Sequence, residues 1–148
     1  MNDQDDRKLD ANFVWLFAAV ALGAAIALPH VAPSLLGGSF KSGAATFGII
    51  FAVCGGAATL LARTGTARAV LAFLLAGVAH LIIWYVRVHS ATTEAGASVA
   101  NALGTAVAIK FALSYGGASI AGGIGGALFG LKVRHNIKKT AAALATRR

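Results

Sequence analysis

The sequence predicts an all-α fold, a polytopic transmembrane helical bundle of about four spans with both termini cytoplasmic. Three observations predict it: a lipid-compatible composition, four long apolar runs, and an uneven distribution of basic residues between them. Of the 148 residues, 57% are hydrophobic and 12% charged, and mean hydropathy is +0.74. A soluble domain carries about twice that charged fraction. Glycine, at 18 residues, is abundant while proline occurs twice. That combination indicates close helix packing rather than disordered or collagen-like chain.

Residues 1–11 form a cytoplasmic N-terminus with Asp3, Asp5, Asp6 and Asp10 against Arg7 and Lys8. This acidic flank argues against a cleaved signal peptide, which starts net positive. Residues 12–131 form one transmembrane domain with spans at about 13–31, 42–62, 69–86 and 111–131, each near the roughly 20 residues that cross a hydrocarbon core as a helix. Runs such as FAAVALGAAIAL do not alternate in polarity, which excludes a β-barrel. Pro29 and Pro33 end or bend the first span. Residues 97–110 are expected as an external or interfacial helix, with Lys110 at the membrane boundary where its stem reaches water. Asn101 and Thr105, one helical turn apart, lie on the wetter face of that helix. Residues 132–148 are a basic cytoplasmic tail.

Orientation follows from the gaps between spans. With four spans, ten of the 13 lysines and arginines collect on one side and three on the other. The positive-inside rule places the richer side, with both termini, in the cytoplasm of a plasma (inner) membrane. A fifth span would put the six-charge tail outside. Trp15, Trp84, Tyr85 and Tyr115 fall near the expected interfaces, where amphipathic rings prefer to sit.

Four features stand out as candidate sites. In the fourth span Ala118, Gly122, Gly126 and Gly130 recur every fourth residue, a glycine-zipper face that lets another helix approach closely. Ala44, Gly48, Ala52 and Gly56 repeat the pattern in the second span, and Ala19, Gly23 and Ala27 in the first. Such faces serve either a homo-oligomer or ordinary packing within the bundle. His80 continues the stripe Ala72, Ala76 in the third span and so points inward. An intramembrane histidine serves proton relay, metal or haem ligation, or a structural hydrogen bond to a neighbouring helix. His30 and Lys110 share its leaflet and could complete a polar site with it. The cations Lys132, Arg134, Lys138 and Lys139 suit anionic lipid headgroups.

Several classes are excluded or disfavoured. GGIGGALFG has neither a preceding strand nor a following Lys-Ser/Thr and is no phosphate-binding loop. The single Cys54 has no base partner and forms no intrachain disulfide. No Asp or Glu lies within a span, which disfavours a metal site or a cation-coupled transporter. The net charge of +8 lies between the spans and comes without a nucleic-acid-binding fold. The expectation is therefore a non-enzymatic membrane subunit or accessory protein with no catalytic residues and no cofactor, partnered by the lipid bilayer and by another membrane protein or a second copy. A small homo-oligomeric channel or permease is the alternative, and a haem- or quinone-binding redox protein the third reading.

Overall fold

The computed structural model describes residues 3–36, 40–61, 66–93 and 98–145, with side chains over 12–34, 41–61, 67–91 and 104–145. Four helices carry the fold: α1 (Asp3–Val31), α2 (Phe40–Leu61), α3 (Thr66–Thr93) and α4 (Ser98–Ala145). Each contains a segment long and apolar enough to cross a membrane: Asn12–Val31, Lys41–Leu61, Ala67–Ala91 and Gly104–Ala145. Pro29 is tolerated inside the last turn of α1, and the chain passes from Val31 through a 3-10 turn at Pro33–Leu36 towards α2. A proline there removes one donor and stops propagation within a turn or so.

Residues 98–110 and 111–131 are successive parts of α4, which runs without a break for 48 residues and so spans about 72 Å. No proline interrupts the helix before Lys110, and the one glycine there, Gly104, is accommodated within it. The side chain of Asn101 lies outside the described residues, whereas Thr105 is half-buried.

Successive helices are antiparallel. Phe73, Gly77 and Leu81 of α3 meet Gly123, Ile120 and Gly116 of α4 in reverse order. Gly48, Ala52 and Gly56 of α2 meet Gly122, Gly126 and Gly130 in the same order. Along the other seam, Trp15 to Leu22 of α1 runs beside Ala72 to Ala79 of α3. The start of α1 and the end of α4 therefore share one end of the bundle. α4 packs against both α2 and α3, α1 packs against the same pair more loosely, and α1 and α4 do not touch among the described residues.

For helices this apolar, a lipid surround would offer little hydrophobic incentive to associate, and close approach and side-chain hydrogen bonds would have to supply it. A Cβ added at Gly122 or Gly126 would run into the carbonyl of Gly48 or Ala52, and one at Gly130 would lie 2.6 Å from the carbonyl oxygen of Gly56. On the α3 side, a Cβ at Gly116 would come within 2.7 Å of Leu81 Cα, and one at Gly123 within 2.9 Å of Phe73 Cβ. One helix thus gives up side chains on two faces to bring two neighbours to backbone contact. Hydroxyls in these interfaces bond back into their own helices: Thr46 donates to the Ser42 carbonyl at 2.9 Å and Thr59 to the Gly55 carbonyl at 3.0 Å, so that each is satisfied locally. The outer surface carries Leu16, Val20, Ile49, Val53, Leu113 and Phe129 among many exposed large hydrophobic side chains, an excess that water-soluble monomers avoid.

Candidate functional site

The polar centre of the bundle is built on His80. Ala72 and Ala76 precede it at helical spacing, all three are buried, and His80 has no exposed surface. Both ring nitrogens are bonded. Trp84, one turn later on α3, donates its indole N–H to His80 Nε2 at 2.8 Å, and Nδ1 lies 2.8 Å from Ser119 Oγ on α4. Ser119 in turn donates to the Tyr115 carbonyl at 2.9 Å.

These contacts assign the protons. An indole nitrogen can only donate, so Nε2 accepts; neutral imidazole then carries its proton on Nδ1, which donates to Ser119 Oγ. The result is a directed chain, Trp84 to His80 to Ser119 to the Tyr115 backbone, in which every donor has an acceptor.

An aromatic shell encloses it. Phe47 of α2 meets the His80 ring edge-on with centroids 4.7 Å apart, and Phe51 stacks on it at 5.8 Å. Tyr115 packs edge-on against Trp84 at 4.6 Å and against Phe47 at 5.2 Å, while Phe111 stacks on Trp84 at 6.4 Å. A Cβ at Gly43 would come within 3.0 Å of the Tyr115 hydroxyl, so α2 closes over this ring as well. Trp84 and Tyr115 therefore pack against other helices within the bundle. Their position at the ends of runs is equally consistent with an interfacial belt; the helix rotation that turns them inward is set by tertiary packing.

His30 does not join His80. It is exposed at the end of α1 and accepts a hydrogen bond from the Arg87 guanidinium on α3. Arg87 lies two turns of α3 beyond His80, about 10 Å along the axis, and its guanidinium carbon sits 6.0 Å from the centre of the Trp84 ring. Lys110 is exposed on α4, a helix that α1 does not touch. The three residues thus lie on three helices, with Trp84 standing between the His80 cluster and the His30–Arg87 pair. Beyond Arg87, His89 stacks on Tyr85 at 5.5 Å. Haem or metal ligation by His80 would have to displace the Trp84 or the Ser119 bond. Among the described residues no group of three His, Cys, Asp or Glu side chains could hold a metal ion.

The small-residue faces divide into filled and open. Ala118, Gly122, Gly126 and Gly130 lie against Gly48, Ala52 and Gly56, the two stripes meshing within one chain, and a Cβ at Gly48 would stand 3.3 Å from the Ala118 carbonyl oxygen. Gly117 and Gly125, by contrast, have open space where a Cβ would go, as does Gly23 between exposed Ala19 and Ala27 on α1. With the exposed Ala121 between them, Gly117 and Gly125 form an outward stripe on α4. Lys132, Lys138 and Lys139 are exposed and Arg134 is half-buried on the last turns of α4, which project past the described ends of α2 and α3. The same segment shows an exposed apolar strip with Ile137 and Leu144.

Sequence reasoning missed Ser119, Arg87 and the inward role of Trp84. The spacing of His80 and Trp84 carried a usable signal, since four residues along a helix places them on one face. Compared with known protein families, curated proteins and solved structures, the chain matches none.

Proposed function

We propose that this chain is a non-enzymatic, multi-pass subunit or accessory protein of the plasma (inner) membrane, with both termini cytoplasmic, which packs against the transmembrane helices of a larger partner. The apolar exterior and the excess of basic residues in alternate gaps support the location. The observation that carries the function is the outward stripe of Gly117, Ala121 and Gly125. The packing of the bundle does not require glycine there, because a Cβ at either position would have open space. A residue type that removes contact area with lipid, at a spacing that shortens the approach of another helix, favours an external helix. The glycine face on which a pore would be built, Ala118 to Gly130, is taken up by α2.

Extraction in mild detergent followed by native mass spectrometry tests this. The expected result is a second transmembrane polypeptide at fixed stoichiometry, released by Gly117→Leu and Gly125→Leu without loss of the fold. A homogeneous monomer from native membranes, or a partner retained by both variants, overturns it. A homodimer released by those variants would select the homo-oligomer instead.

A further inference from the structure

α1 and α3 approach through small residues, chiefly Ala18, Ala72 and Ala76, and the larger side chains around them leave the seam indented. A hollow of about 250 Å³ lies between Trp15–Leu22 and Ala72–Ala79. Further along the same seam is a groove of about 370 Å³ lined by Ile26, Ile82, Ile83, Val86 and Arg87. Its lining is aliphatic except at one end, where the Arg87 guanidinium meets His30.

Arg87 has cationic capacity to spare. A guanidinium offers five N–H donors in a planar fork suited to an oxyanion, and its contacts here are a neutral acceptor, His30 Nε2, and the face of Trp84. While Nε2 accepts, His30 keeps its Nδ1–H as a further donor. The chain has five acidic residues; four of them, Asp3, Asp5, Asp6 and Asp10, belong to the opposite end of α1, and Glu94 lies outside the described residues. From His30 back to Ala19 the seam runs 11 residues, about 16 Å of helix, close to the roughly 15 Å depth of one leaflet's hydrocarbon.

We infer that the α1–α3 seam binds one anionic phospholipid, with an acyl chain along the groove and the phosphate on Arg87 and His30. Charge complementarity at one end and aliphatic walls along the rest fit both parts of such a molecule, whereas free phosphate would leave the groove unused. The site differs in kind from the basic end of α4, whose cations attract any anionic surface without a groove beside them. The inference rests on the bilayer location proposed above and not on the existence of a protein partner.

Native mass spectrometry of the full chain released from nanodiscs of phosphatidylglycerol and phosphatidylcholine, equimolar and with identical acyl chains, tests it. One phosphatidylglycerol should be retained over phosphatidylcholine by about tenfold, because the choline cation of the zwitterion offsets its phosphate charge beside Arg87 whereas phosphatidylglycerol keeps a net negative charge. Arg87→Gln should bring that ratio near unity, and Ile83→Trp, which fills the groove and keeps the cation, should lower retention of both lipids. Lys138→Gln with Lys139→Gln should leave the ratio unchanged. Unaltered selectivity in Arg87→Gln, unaltered retention in Ile83→Trp, or displacement by millimolar inorganic phosphate overturns the lipid site. Absence of a protein partner in the same spectra would count against the subunit proposal alone, and failure to enter nanodiscs would overturn both.

Discussion

His80 is held by a chain of donors and acceptors whose direction is set at one end by an indole that cannot accept. This gives Ser119 a defined energetic role. In Ser119→Ala the Nδ1–H of His80 loses its acceptor, and the other tautomer offers no escape, because Nε2–H would then face the Trp84 N–H. The expected cost is about 1 kcal/mol, between the average for hydrogen bonds inside membrane bundles and the penalty for an orphaned buried donor; reversible unfolding in mixed micelles measures it. Nitrogen NMR of His80 should report the Nδ1–H tautomer at neutral pH, and Trp84→Phe, which frees Nε2, should admit the other. A tautomer unchanged by Trp84→Phe would mean that the indole does not set it. The inward position of His80 was legible from Ala72 and Ala76 on the same face. Its partner Ser119 was not, since a serine 39 residues away meets it only once α3 and α4 take a definite relative rotation.

Among the elements, α4 does the most to organise the bundle, and its glycines divide by face. Gly126 lies where a side chain would strike the Ala52 carbonyl, whereas Gly125, one residue on, points into open space. Gly126→Leu should therefore destabilise the isolated protein by about 2 kcal/mol or more through overpacking against backbone that cannot move aside. Gly125→Leu should change the stability of the same preparation by less than about 0.5 kcal/mol. Equal effects in thermal unfolding would mean that α2 does not seat on the Gly126 face. Small-residue stripes in the second and fourth spans were both visible in the sequence, and their equal period suited mutual packing. Their assignment to each other was not visible, because each could equally have met a second copy.

For the whole molecule, the antiparallel order of four helices brings the start of α1 and the end of α4 to one end of the bundle, and the proposed orientation, read from the basic residues, turns that end to the cytoplasm. In a Cys54→Ala background, a cysteine at Thr140 should react with an impermeant thiol reagent only after permeabilisation, and one at Ser90 in intact cells. The reverse pattern would refute the cytoplasmic assignment. Removal of residues 132–148 leaves four basic residues on the proposed cytoplasmic side against three on the other. Truncated chains should then insert in both orientations, read out by the same labelling.

Hydropathy and charge order are properties of the chain alone, summed over twenty residues at a time. That the chain holds four long apolar helical segments could therefore be recognised before any packing was known. Helix rotation and pairing are different in kind. They depend on which faces are close enough for backbone contact and which donors find acceptors across helices. Only the tertiary structure decided that α4 packs its glycine stripe on α2, that His80 pairs with Ser119 and Trp84, and that His30 meets Arg87. The physical reason is that apolar faces are alike in hydropathy, so specificity in this bundle comes from close fit and hydrogen-bond direction, neither of which a one-dimensional pattern contains.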